Sequence, residues 1–249
     1  HFRIFEQKGL HYCPGNFTVA IKPVSENGKL NVILSTEALN GEIFFTTDGS
    51  TPSKESIKYT SPVSITTSAT IKAVTVLHGM VMGIKPAQQS FVMHKAIGKN
   101  VVYTNPVSKY YIADGPNSLT DGVRGTFAVG KYWHGFAGKD MIATIDLGED
   151  KNISTISLGC LQHYRDWIFM PSSVKFELSI DGKVFTELQT INNTVSADDK
   201  NSIIKDFTTM FTEQKARYIR VSAKNTVCPK GHPGEGKPAW IFADEIVVE

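Results

Sequence analysis

The side chains best suited to gripping a small polar ligand fall in three separate stretches. Trp133 and His134 are adjacent, His163-Tyr164-Arg165-Asp166 form a second group, and Asn225 and His232 lie in a Gly/Pro-rich run ending at Pro238. An aromatic ring can cover the apolar C–H face of a sugar, while a fork of donors and acceptors meets its hydroxyl rim. Loops at one end of a sandwich could supply both. The candidates for sugar binding are therefore Trp133, His134, Tyr164, Arg165, Asn225 and His232. Each has a plainer alternative: a ring capping the core edge, a loop histidine that is merely solvated, an arginine paired with Asp166 or a loop carbonyl. Trp167, which precedes Ile-Phe-Met-Pro, and Trp240, inside an apolar run, read as core. Catalytic patterns are absent. The sequence holds no Gly-x-Ser-x-Gly, no His-Glu-x-x-His and no Cys–His constellation.

The elements that must position these groups are strands. Val174, Phe176, Leu178 and Ile180 alternate with Lys175, Glu177 and Ser179, so one set faces a core and the other faces water. Asp181-Gly182 then reads as a hairpin turn, because both residues tolerate positive φ, and Val184-Phe185 should open the next strand. Further strands are expected at 32–34, 43–47, 70–76, 142–147, 218–223 and 246–248. Asp-Gly recurs at 48–49, 114–115 and 121–122. Many short strands divided by such turns predict packed antiparallel sheets. The only helical piece expected is a short one near Thr209–Lys215. The Asn225–Pro238 run should be irregular, shaping a site or packing on a neighbour.

Length and composition bound the rest. With 249 residues the chain has room for one or two domains of about 150 residues. Lys plus Arg number 26 against 24 Asp plus Glu. A balance so near neutral, without a basic block, argues against a nucleic-acid partner. No apolar run reaches the ~18 residues that would suggest a bilayer-spanning helix. Cys13, Cys160 and Cys228 are far apart and lack metal-site spacing, so at most one pair could bridge. The chain opens on His1 without a leader pattern, which suggests processing or excision from something longer. The expected division is a tail of an upstream domain with a first strand over 1–23, a small sandwich over 24–95 and a larger domain over 96–249. Sequons stand at Asn16, Asn152 and Asn192 and would matter only in a eukaryotic secretory host.

Two families are resembled. Glu42-Ile-Phe-Phe-Thr-Thr-Asp-Gly-Ser-Thr-Pro52, Tyr59-Thr-Ser-Pro62 and Thr70-Ile-Lys-Ala73 are similar to the small Ig-like β-sandwich near the C-terminus of chitobiases and β-hexosaminidases. Leu119-Thr-Asp-Gly-Val-Arg-Gly-Thr126, Ala143-Thr-Ile-Asp-Leu-Gly148, Val174 to Gly182, Tyr218-Ile-Arg-Val221 and Asp244-Glu245-Ile246 resemble the discoidin-like fold. That is the coagulation factor 5/8 type C domain, shared by carbohydrate-binding module family 32. The fold implied is all-β: an Ig-like sandwich followed by a discoidin-like jelly-roll sandwich. Trp133 to Phe136, Trp167 to Pro171 and Cys228 to Trp240 look like the last domain of bacterial, Bacteroides-like family 20 glycoside hydrolases. Gly9 to Pro14 fits the run-out of their barrel.

The resemblance carries functional expectations. It implies the C-terminal half of a secreted β-N-acetylhexosaminidase, located in the periplasm, at the cell surface or outside the cell. Partners would be glycans ending in galactose or N-acetylhexosamine, and an upstream catalytic domain. The family's His-x-Gly-Gly-Asp-Glu motif is missing. Asp244-Glu245 cannot replace it, since strand neighbours point to opposite faces. The chain itself should therefore be non-catalytic, and the alternative to sugar binding is a purely structural appendage packed on the barrel. Discoidin-like sugar binders also clamp one structural calcium ion. Its ligand positions fall here on Leu119, Asp121, Val123, Thr126, Asp244 and Glu245, with backbone oxygens from Leu119, Val123 and Asp244 and carboxylates from Asp121 and Glu245.

Overall fold

Period-2 alternation becomes strand wherever one face can be buried, and the computed structural model shows this over the residues it describes, 17–26 and 28–249. The expectations for Cys13, for the Gly9–Pro14 run-out, for the tail up to residue 16 and for the Asn16 sequon lie outside the described residues. The chain is all-β. It divides into two units, one formed by the chain up to Val24 with Asn31–Phe91, the other by Ser25–Leu30 with Val92–Glu249.

The first unit is built on β1 (Ala20–Glu26) and β2 (Lys29–Ser35), apart from their ends at Ser25–Leu30, and on β3 (Glu42–Thr46), β4 (Ile57–Lys58), β5 (Val63–Ile65), β6 (Ala69–Leu77) and β7 (Met80–Phe91). They form two sheets, ordered β1-β2-β5 and β4-β3-β6-β7. Val32 and Leu34 of β2, Ile43 and Phe45 of β3, and Ile71 and Ala73 of β6 are buried at every second position. This is the pattern of sheets that each give one face to a core.

The second unit carries β8 (Val101–Tyr103), β9 (His134–Ala137), β10 (Met141–Gln162), β11 (Ser173–Ser179), β12 (Thr186–Asn192), β13 (Ile203–Lys224) and β14 (Trp240–Val248). They make one seven-stranded sheet in the order β12-β11-β13-β10-β14-β9, with β8 also on β10. Long β10 and β13 run antiparallel and pair in three stretches, Met141–Asp146 with Tyr218–Ala223, Lys151–Ile153 with Gln214–Ala216, and Thr155–Gln162 with Ile203–Met210. Register shifts between Asp146 and Lys151 and between Ile153 and Thr155 separate them. Bulges bend and twist a strand. Ala143 and Ile145 from the first stretch share a core with Ile156 and Leu158 from the last, together with Phe176, Phe207, Val221 and Ile246. One sheet folded on itself thus makes both layers of the sandwich.

Four local expectations are corrected. Ile180 does not face the core but lies past the end of β11, 54% exposed, while Glu177 and Ser179, expected to face water, are buried, because Arg220 holds the one and the Asp181–Gly182 turn closes on the other. Thr209–Lys215 is not helical but part of β13. The ladder to β10 overrides the local pattern, and the irregularity seen in sequence is the register shift opposite Ile153–Thr155. Val184 and Phe185 do not open β12. They close a longer turn, in which Asp181 Oδ1 accepts the Lys183 and Val184 amides at 2.8 and 3.0 Å. The Asn225–Pro238 run is irregular, as its composition requires, yet it is stapled within the unit through Val227 opposite Pro238.

Candidate functional site

A bulge in β14 buries two adjacent acids in the second unit. Leu158 pairs with Ile246 and Cys160 with Ala243, so Asp244 and Glu245 together face the single residue Gly159. The extra residue breaks the strict alternation of faces, and both acids are buried, at 1% and 0% exposure. Gly159 is required here: a Cβ would overlap Asp244 Oδ1.

The two acids end differently. Asp244 Oδ2 accepts Arg124 Nε at 2.9 Å and the Gly125 amide at 2.8 Å, and Oδ1 accepts the Glu245 amide at 2.6 Å. Arg124 also pairs with Asp206 at the surface. Burial raises the Asp244 carboxyl, and Arg124 opposes that rise. Glu245 Oε1 accepts His94 Nε2 at 2.7 Å and the Gly122 amide at 3.1 Å. Its Oε2 is buried and has no partner. Asp121 lies beside it, with Oδ1 accepting the Val123 amide at 2.8 Å. Burial, and next the charge of Glu245, push Asp121 up to about 9. Burial likewise drives Glu245 well above the carboxylate range. Two such acids cannot both ionise without a counter-charge. A hard cation beside Oε2 would satisfy that oxygen and neutralise the pair.

The donor set for such an ion is present in part. Leu119 lies within the short 3-10 segment Ser118–Thr120, Asp121 and Val123 in the turn that follows it, and Asp244 and Glu245 in β14. Thr126 fits least well. It is exposed, its carbonyl accepts Trp133 Nε1 at 2.8 Å, and its hydroxyl accepts the Ala128 amide at 3.2 Å. Among the described residues no three His, Cys, Asp or Glu side chains gather as a metal site. A cation here would therefore depend on backbone oxygens.

The sugar candidates separate into two sets. Trp133 is 1% exposed and packs with Leu161, Ile168 and Phe242. It lies so close to Gly125 that a Cβ there would overlap its ring. A covered ring offers no face to a ligand, so the platform role does not fall to Trp133. His134 is buried in β9, with Nε2 at 3.0 Å from the Gly115 carbonyl and Nδ1 at 3.0 Å from the Tyr103 hydroxyl. Burial lowers it to about 4, so it is neutral and structural. Asn225 Nδ2 donates to the Lys139 and Ala239 carbonyls at 2.8 and 3.2 Å, tying two loops together. His232 is also buried. Its Nε2 donates to the Tyr164 carbonyl at 3.0 Å and its Nδ1 accepts the Gly234 amide at 3.0 Å. Trp133, His134, Asn225 and His232 are thus corrected from ligand contacts to framework, because internal partners already hold them.

The remaining candidates, Tyr164 and Arg165, sit on a 3-10 turn, Tyr164–Asp166, that leads into Trp167. Arg165 and Asp166 are exposed, while Tyr164 and Trp167 are half-buried. His232 stands edge-on to both rings, at 4.6 Å from Tyr164 and 5.4 Å from Trp167 between centroids. Lys237 Nζ lies 5.7 Å from the centre of the Trp167 ring. Trp167 adopts φ of 63°, a left-handed conformation uncommon for a large side chain and often found at functional turns. The sequence reading placed Trp167 in the core, and the residue does pack against the cluster of Phe169, Cys228 and Ala239 and on Gly234, although it stays half-buried.

Comparison with known families follows this geometry. The F5/8 type C domain model matches residues 103–235, more than half of the chain, and the chain belongs to that family. A second model, the chitobiase/beta-hexosaminidase C-terminal domain, matches residues 24–85. No curated protein matches the chain. Among solved structures, the chain is similar to chitosan-binding module 1 from a chitosanase/glucanase of Paenibacillus sp. IK-5, at 18% identity over 63% of this chain and 98% of that one, with a TM-score of 0.42. It is also similar to CBM32-3 from a family 31 glycoside hydrolase of Clostridium perfringens, at 18% identity over 60% and 89% of the two chains, TM-score 0.39. A third is CpGH89CBM32-5 of Clostridium perfringens in complex with GalNAc-beta-1,3-galactose, at 15% identity over 60% and 94%, TM-score 0.41. Cys160 and Cys228 are buried free thiols, and among the described residues no helix is long and apolar enough to cross a membrane.

Proposed function

We propose that this chain is a non-catalytic, carbohydrate-binding accessory region of a larger secreted β-N-acetylhexosaminidase, which it holds on glycans outside the cell or at its surface. The observation that carries the reading is the braced aromatic turn. Tyr164 and Trp167 are half-buried beside the exposed Arg165 and Asp166; His232 stands against both rings, and Trp167 also packs on Gly234. Rings locked in advance lose little entropy on binding. Membership of the F5/8 type C family and the neighbouring chitobiase-type unit support the same reading. A glycan ending in galactose or N-acetylhexosamine would bind weakly, at about millimolar or roughly −4 kcal/mol. Tethering to a catalytic domain would then supply effective concentration.

The test is a glycan array probed with the full chain and with Trp167→Ala. Binding to such termini, weakened about tenfold or more by the variant, is expected. Silence across galactose, N-acetylgalactosamine and N-acetylglucosamine termini overturns the reading in favour of a structural appendage.

One structural calcium ion belongs to the same reading. Asp121 and Glu245 would hold it with backbone oxygens of Leu119, Val123 and Asp244, and Thr126 at most at the margin. The unpartnered, buried Glu245 Oε2 supports this assignment. The ion would tie the Asp121 turn to β14. With calcium at a hundred times its Kd, the ion would add about 2.7 kcal/mol, so EGTA should lower the melting temperature by about 5–10 °C. An unchanged melting temperature removes the ion from the account.

A further inference from the structure

We infer that His94 is a positioning residue of this cation site, and that the segment Val92–Lys99 which carries it is coupled to the ion. The inference rests on the calcium reading above. It concerns residues outside the matched F5/8 range of 103–235.

The two oxygens of the Glu245 carboxylate are held unequally. Oε1 takes two donors, His94 Nε2 at 2.7 Å and the Gly122 amide at 3.1 Å, and Oε2 takes none. His94 is itself held. Its Nδ1 accepts the Ala96 amide at 3.2 Å, so Nε2 is the nitrogen that carries the proton. The imidazole can therefore only donate to Glu245, and it is fully buried together with it. A carboxylate gripped at one oxygen by two donors cannot rotate freely. Its second oxygen stays fixed, buried and unpartnered, and so open to a cation. Outer partners of this kind orient metal ligands and keep them basic.

The segment around His94 is tied to the same turn. Val92 donates its amide to the Gly122 carbonyl and Gly98 donates to the Thr120 carbonyl, both at 2.8 Å. Thr120 Oγ1 donates to the Lys99 carbonyl at 2.7 Å, and the Lys95 amide reaches the Val248 carbonyl at 2.8 Å. Gly122 has no room for a Cβ, which would lie 3.0 Å from the Val92 carbonyl oxygen and 2.9 Å from Ile97. The Asp121 turn and β14 are the two elements the ion would clamp. Residues 92–99 are bonded to both. An ion that fixes those elements must also damp the opening of this segment.

The experiment combines calorimetric calcium titration with hydrogen exchange on the full chain. Calcium Kd and the melting temperature in EGTA are measured for wild type, His94→Ala and His94→Gln. His94→Ala should weaken calcium about 10–100-fold. His94→Gln, whose amide can still donate to Glu245 Oε1, should restore most of the affinity. In wild type, exchange across 92–99 should slow on adding calcium. A His94→Ala chain with a lower melting temperature in EGTA but an unchanged Kd would show a merely structural histidine and overturn the inference. If His94→Ala does not fold, the glutamine variant and the wild-type exchange decide, and exchange across 92–99 that ignores calcium overturns it. A flat wild-type isotherm overturns the calcium reading and this inference together, whereas variants with the wild-type Kd overturn only the inference.

Discussion

The Asn225–Pro238 loop and the Asp121–Glu245 cluster both bury polar side chains, and they close in opposite ways. In the loop, His232 uses both ring nitrogens on backbone partners, and Asn225 ties its amide to two carbonyls. In the cluster, Glu245 leaves one carboxylate oxygen with nothing to accept from, although it is fully buried. A buried polar group with all its partners is framework, and one without a partner costs free energy unless something absent satisfies it. The contrast separates scaffold from site better than residue type does. By residue type alone, Trp133, His134 and His232 were candidates for ligand contact.

The largest effect expected tests the satisfied half of the acidic cluster. Asp244 depends on Arg124 and on the Gly125 amide. Removing the guanidinium in Arg124→Ala leaves a buried carboxylate without its counter-charge, a loss of about 3–5 kcal/mol. Urea denaturation of wild type and variant measures it directly. A cost below about 1 kcal/mol, typical of surface pairs, would mean that Asp244 is not held as described, and would blur the distinction between it and Glu245.

A smaller effect is expected from the loop. His232→Ala removes two hydrogen bonds and the edge contacts to Tyr164, Trp167 and Phe169. The loss should be about 2–3 kcal/mol from packing and hydrogen bonds combined. Glycan binding should fall as well, since the rings lose their brace. Calcium affinity should not change. A His232→Ala chain that keeps wild-type stability would show that the loop does not close around this side chain.

The alternation of Val174, Phe176 and Leu178 was legible as a strand because a period of two has one structural meaning once a core is available. Period alone could not reveal the bulge opposite Gly159. It comes from one extra residue in β14, and a run in which every position is buried shows no change of phase there. Hence Asp244 and Glu245 read as pointing to opposite faces, although both are inside. The proposed calcium positions came from resemblance to a family pattern. His94 did not, because nothing in the sequence links it to a glutamate 151 positions later. Trp133 misled for a related reason: a tryptophan beside a histidine looks the same in sequence whether the ring faces water or, as here, covers Gly125.

The smallest effect concerns Glu177, a buried carboxylate with a partner on each oxygen. Arg220 grips Glu177 with two hydrogen bonds of 2.8 Å, its guanidinium lying over the Phe185 ring. Those bonds first, and Lys175 in addition, hold the Glu177 carboxyl below its usual value. A lowered folded-state value contributes stability above the unfolded value of about 4.3, and that contribution is lost as pH falls through the folded value. Glu177→Gln cannot ionise and lacks this term. Its deficit against wild type should therefore be about 0.5–1 kcal/mol at neutral pH and should shrink toward zero on acidification. Denaturation of both chains at pH 7 and in steps below about 4 reads the difference. A deficit that holds constant through the acid range would mean that the pair contributes by shape and hydrogen bonding alone. Glu177 would then belong with the neutral framework of His232 and Asn225, not with the charged cluster around Arg124.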